Sequence, residues 1–145
     1  MQHRVPDSRG FTLVEMAIVV LVLGIVIAMG VGGFMAVAKD NQLRDSARSV
    51  AGQITLARSR AMASASTVTV NFDNASTPKR VIVVGQSFSH SWSMPRDIRY
   101  ATGSATTVNM TNDGRASAST YVILQNTKGL KDTVSIQTSG LVIAR

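Results

Sequence analysis

The stretch Met16-Ala17-Ile18-Val19-Val20-Leu21-Val22-Leu23-Gly24-Ile25-Val26-Ile27-Ala28-Met29-Gly30-Val31-Gly32-Gly33-Phe34-Met35-Ala36-Val37-Ala38 holds no charged residue. It exceeds the roughly 20 residues that a helix needs to cross a hydrocarbon core. It also exceeds the about 7–15 apolar residues of a cleavable secretory signal. The run is therefore expected to remain in the mature protein as a membrane helix. Arg4 and Arg9 precede it. The bias of basic residues toward the cytoplasmic side then places residues 1–10 inside and the C-terminal part outside.

Glu15 interrupts the apolar surroundings close to the start of this segment. A carboxylate at that depth costs a few kcal/mol and calls for a partner, unless it sits among the headgroups or takes up a proton. Four glycines, Gly24, Gly30, Gly32 and Gly33, each lower helix propensity by roughly 1 kcal/mol relative to alanine. Close helix packing through small residues is the favoured reason for their presence.

After Lys39 the chain becomes amphipathic. Leu43, Ala47, Val50, Ile54, Ala57 and Ala61 recur at alternating steps of four and three, which is one helical stripe. Arg44, Arg48, Arg58 and Arg60 mostly lie off it. A single helix from Phe11 to about Ala63 would measure roughly 80 Å, with its second half laid on a sheet. A coiled-coil dimer competes as an explanation, but the stripe is short and rich in alanine.

Past Thr67 the apolar period falls to two. Val68, Val70 and Phe72 alternate with Thr69 and Asn71, and Val81 to Val84 reads as a buried strand. Further strands are expected at Thr107 to Met110, Tyr121 to Leu124, Val134 to Gln137 and Leu141 to Ile143. Asp73 to Pro78, Asn112-Asp113-Gly114 and Ser139-Gly140 are turn signals. Between Gln86 and Tyr100 the alternation is weak, and one strand followed by a loop is expected, with Trp92 packed in a core or interface. The class is α+β: one long helix, its first half transmembrane, packed on a small antiparallel β-rich head. The expected divisions are 1–10, 11–38, 39–65 and 66–145.

The segment Arg9-Gly10-Phe11-Thr12-Leu13-Val14-Glu15 resembles the processing site of type IV prepilins and type II secretion pseudopilins. The points of likeness are a short basic leader, Gly before Phe, Glu at the fifth position after that junction, and a long apolar helix. The resemblance implies that a prepilin peptidase cuts between Gly10 and Phe11 and that the new amino group of Phe11 is methylated. It implies that Glu15 pairs with the amine of a neighbouring subunit and sets the axial register of a filament. It also implies a bacterial inner-membrane location before assembly. Leu56-Ala57-Arg58-Ser59-Arg60-Ala61, Thr111-Asn112-Asp113-Gly114-Arg115 and Val134 to Val142 are similar to the GspH/FimT group of minor pilins and pseudopilins. Pilins of this type commonly carry a proline in the apolar helix; none occurs here.

Catalysis is not indicated. His3 and His90 are isolated, the acids are dispersed, and no glycine-rich loop has phosphate-binding spacing. There are no cysteines, and neither a metal site nor a cofactor is expected. The net charge of +7 suits a soluble basic head or a surface for an anionic partner. Two functions follow. The first is a structural subunit that initiates or caps a type IV pilus or a secretion pseudopilus, with other pilin or pseudopilin subunits as partners. The second is a DNA-binding minor pilin, with Lys79, Arg80, Arg96, Arg99, Lys128, Lys131 and Arg145 as candidate contacts. Relatives that bind DNA do so through a basic tail with Gly-Arg, whereas Gly140 is followed here by Leu141.

Overall fold

A computed structural model of the protein describes residues 12–145; within it, the side chains of residues 30–36 lie outside the description. The leader, Gly10, Phe11 and the side-chain surroundings of Gly30, Gly32 and Gly33 thus fall outside the described residues. The chain divides into two units that meet at Val37 and Ala38.

Helix α1 covers Leu13–Ser64, 52 residues without a proline. In the first unit its described side chains are exposed apolar groups, from Leu13 and Val14 through Ile18, Leu21 and Ile25 to Met29. Among the described residues no helix is long and apolar enough to cross a membrane. The charge-free run read from the sequence continues through residues 30–36, beyond the described side chains. A Cβ built on Gly24 meets nothing within 4 Å, so nothing in the described chain requires a glycine there.

In the second unit the helical stripe is buried, with Ala47, Val50, Ile54, Ala57 and Ala61 all at 0% exposure. The sheets covering it come from eight strands: β1 (Val68–Asp73), β2 (Arg80–Val84), β3 (Ser89–Ser93), β4 (Ile98–Tyr100), β5 (Thr107–Met110), β6 (Thr120–Asn126), β7 (Lys131–Ile136) and β8 (Val142–Ala144). They form two four-stranded antiparallel sheets, in the orders β3-β2-β1-β5 and β4-β6-β7-β8. The alternation read in the sequence puts Val68, Val70 and Phe72 of the first sheet into the core; Val81 to Val84, expected as a buried run, alternates instead, with Val81 and Val83 buried and Val84 exposed. Val122, Leu124, Val134 and Ile136 of the second sheet join them in one cluster with the stripe. This arrangement explains why the alanine-rich stripe needs no second chain: its own head covers it.

The segment Gln86 to Tyr100 departs from expectation. It holds two strands, β3 and β4, and they belong to different sheets. Crossing from one sheet to the other interrupts the alternation, which is why the pattern looked weak. Tyr100 binds the sheets together after that crossing. Its ring meets Phe72 edge-on at 5.8 Å, and its hydroxyl donates to the Arg80 carbonyl at 2.9 Å. Burial pushes the phenol well above its usual range. Trp92 packs partly buried against the core, as expected.

Three pieces of sequence far apart in the chain meet at one corner. Gly114 and Gly140 both adopt positive φ, at +78° and +79°, and close the turns before Arg115 and Leu141. A Cβ on Gly140 would overlap the Gly114 carbonyl oxygen, so the two turns touch backbone to backbone. Arg58 of α1 lies against both and donates from Nη1 to the Gly140 carbonyl at 3.3 Å. Arg58 is therefore half-buried, unlike the exposed Arg44, Arg48 and Arg60. Arg60 instead stacks over Phe88 at 4.6 Å and holds the β2–β3 connection to the helix.

These contacts predict opposite outcomes for two glycines. Gly140→Ala faces both positive φ and a steric overlap, and should lower stability by about 1–3 kcal/mol. Gly52→Ala lies in the helix with nothing within 4 Å of the added methyl, and should raise stability by up to about 1 kcal/mol. Chemical denaturation of the full chain in detergent measures both.

Candidate functional site

The first turn of α1 is built by Thr12 and Glu15. The Thr12 hydroxyl accepts the Glu15 backbone N–H at 3.2 Å, and the Thr12 N–H donates to Glu15 Oε2 at 3.3 Å. The Thr12 hydroxyl also reaches Oε2 at 3.4 Å. This is a capping box, which satisfies two backbone donors that the helix start leaves open. The spacing Thr12-Leu13-Val14-Glu15 carries that signal in the sequence, but the reading centred on Glu15 as an intersubunit partner overlooked Thr12. Both contacts that the carboxylate accepts use Oε2. Oε1 has no partner among the described residues and is available to a cation while the cap stays formed. Phe11, whose amine the register role requires, lies outside the described residues.

Beyond this cap, the exposed apolar surface of α1 begins at once. Leu13 is 86% exposed, and Val14, Met16, Ile18, Val19 and Val20 follow. A helix with apolar side chains exposed all round needs lipid or neighbouring helices to cover it. An acid and a threonine at its tip are the polar groups that such a covering leaves to be matched.

The basic candidates do not form one track. Strand register places Arg99 opposite Gln125, and Gln125 opposite Lys131. Opposed residues of antiparallel strands point to the same side. Arg99, Lys131 and, beside Thr133, Arg145 therefore share the outer face of the second sheet, along with exposed Tyr121. Arg80 starts β2 in the other sheet, and the Lys79 ammonium donates to the Asn74 carbonyl. Arg96 lies in the loop before β4, and Lys128 pairs with Asp40 at 3.4 Å.

The acids of the head are mostly engaged. The Ser76 hydroxyl, then the Ala75 and Ser76 N–H groups, hold the Asp73 carboxyl below its ordinary value. The Thr111 hydroxyl does the same for Asp113, countered in part by burial. Asp132 behaves in the opposite way. Its residue is 8% exposed, and burial raises its carboxyl above the usual range, against the opposing pull of the Thr133 N–H, Arg44 and Arg48. Among the described residues no group of acids, histidines or cysteines is arranged to hold a metal ion.

Two variants test this geometry. Thr12→Ala should cost about 1 kcal/mol at the helix start and speed amide exchange at residues 13–16, while Thr12→Ser should not. Asp132→Asn removes an ionised carboxylate whose folded pKa is raised, so the folded state binds the proton more readily than the unfolded state. The charge then costs stability above the folded pKa, and that cost vanishes below the unfolded value of 3.8. The variant should be the more stable protein at pH 7, and its advantage should disappear near pH 3 in a pH series of denaturation curves.

Residues 6–31 match the prokaryotic N-terminal methylation motif. No curated protein matches the chain. Among solved structures, the chain resembles the minor pseudopilin EpsH from the type 2 secretion system of Vibrio cholerae, with a TM-score of 0.56 and 13% identity. The match covers 72% of this chain and 96% of that one. The chain thus carries the N-terminal methylation motif and, over 72% of its length, shares the fold of that minor pseudopilin.

Proposed function

We propose that the protein is a minor pilin or pseudopilin, a structural subunit that initiates or caps a type IV pilus or a type II secretion pseudopilus. The observation that carries this reading is the methylation motif across residues 6–31, whose helical part, from Leu13 to Met29, exposes its apolar side chains. In this reading a prepilin peptidase removes residues 1–10, and the new Phe11 amine is methylated. The apolar part, residues 11–38, anchors the subunit in the bacterial inner membrane, with the head outside the cytoplasm. On assembly the same surface exchanges lipid for the helices of other subunits. Glu15 keeps its own cap through Oε2 and offers Oε1 to a neighbour's amine. Leaving either charge alone in an apolar interior would cost about 3–5 kcal/mol.

DNA capture has thinner support. Only Arg99, Lys131 and Arg145 of the seven candidates share a face, and Lys128 already has an acidic partner.

Intact mass and N-terminal sequencing of the protein from its native membrane test the processing. A chain that begins at methylated Phe11 is expected; one that retains Met1 to Gly10 beside an active prepilin peptidase would overturn the reading. Glu15→Gln separates the two duties of the side chain, since glutamine also completes a capping box. Glu15→Gln should preserve the helix start and yet abolish filament incorporation, as Glu15→Ala should. Normal incorporation of the glutamine variant would remove the charge pairing and leave only the cap.

A further inference from the structure

Between the start of the amphipathic helix and the β7–β8 end of the second sheet lies an open hollow of about 250 Å³. It adjoins a second of about 230 Å³, and both are lined by Arg44, Asp132 and Arg145. Lys131 borders the first and Arg48 the second. Leu43 and the exposed Leu130 give the first an apolar wall. We propose that this hollow is a docking site for an acidic side chain, flanked by apolar residues, on a protein other than this chain.

The charges argue for the occupant. Asp132 is the buried acid of the site, and its carboxylate accepts only the Thr133 N–H, at 2.9 Å, among the described residues. Arg44, Lys131 and Arg145 make no ion pair among the described residues. Arg44, Lys131 and Arg145 line the hollow without an ion pair, against Asp132 and an Asp40 already paired with Lys128, so an incoming carboxylate supplies the missing charge. Guanidinium groups of Arg44 and Arg145 suit a carboxylate through paired N–H donors.

The head of a second copy does not fit, and its Glu15 is committed to a neighbour's Phe11 amine in the assembly proposed above. The chain carries 15 basic residues against eight acidic ones. In the head, Asp40 is paired with Lys128 and Asp45 with Arg48. Asp73 and Asp113 are spent on their own turns. Asp97 alone among the described head acids has no partner. Nucleic acid fits less well than protein, because Asp40 and Asp132 in the lining repel a polyanion and the leucine wall offers nothing to phosphate.

The test is an NMR titration of the full chain in detergent with an N-acetylated, C-amidated peptide of alternating leucine and glutamate. Its glutamine counterpart and a thymidine oligonucleotide of equal charge serve as competing probes. The glutamate peptide should shift the amides of Lys131, Asp132, Thr133 and Arg145. Arg44→Gln and Arg145→Gln should each weaken it about tenfold, and Lys79→Gln should not. Unchanged Gly114 and Gly140 amide shifts confirm that the variants remain folded. Equal binding of the glutamine peptide, or no shift at millimolar glutamate peptide, would overturn the proposal. A stronger response of the same amides to the oligonucleotide would overturn it in favour of a nucleic-acid surface.

Discussion

The head depends on close contact between one helical stripe and two sheets. Ala47, Ala57 and Ala61 are fully buried and leave almost no side chain between the helix backbone and the strands. Val50 and Ile54 fill the space between them. Because a helix presents such a stripe on one side only, the remaining faces are free to carry arginines. Those arginines then anchor what lies beyond the core: Arg58 the two glycine turns, and Arg60 the Phe88 loop. A core this thin has little surplus, so small residues and short turns carry a large share of its definition.

The two units of the chain show opposite relations between helix and surroundings. From Leu43 onward the apolar stripe of α1 is covered by the chain itself, and Leu56 and Met62 off the stripe stay exposed. From Leu13 to Met29 the apolar groups are covered by nothing among the described residues. One helix thus follows two rules of burial, one satisfied within the molecule and one left to its environment. Thr12 and Glu15 stand at the far end of the uncovered part, where the cap lets a carboxylate sit at a helix start without leaving backbone donors open.

Much of this was legible in the sequence, for physical reasons that differ by region. The stripe from Leu43 to Ala61 and the alternation of Val68, Val70 and Phe72 obey the periods of helix and strand, and both proved buried as read. The α+β class followed from them. The strands β3 and β4 were obscured because the chain changes sheets between Met94 and Ile98, β3 has no alternation of its own, and β4 alternates over only three residues. Arg58 looked like one more solvated cation, since its role comes from two turns more than fifty residues away, brought together only by folding. The hollow around Asp132 was equally hidden, because its lining comes from α1, β7 and the chain's last residues. Thr12 was different: its signal was local and present, but Glu15 drew the interpretation toward an outside partner.

The strand edges carry a consequence for how such a molecule avoids unwanted association. Both edges of the second sheet, β4 and β8, are only three residues long. They expose too few backbone donors and acceptors to template another chain. The first sheet is less guarded, since its edge strand β3, Ser89-His90-Ser91-Trp92-Ser93, pairs with β2 along its whole length and contains no Lys, Arg, Asp or Glu. Crowded heads of this kind would therefore stick to one another first through β3, by strand addition, and the serines that keep this edge polar are what stands between orderly helix packing and aggregation.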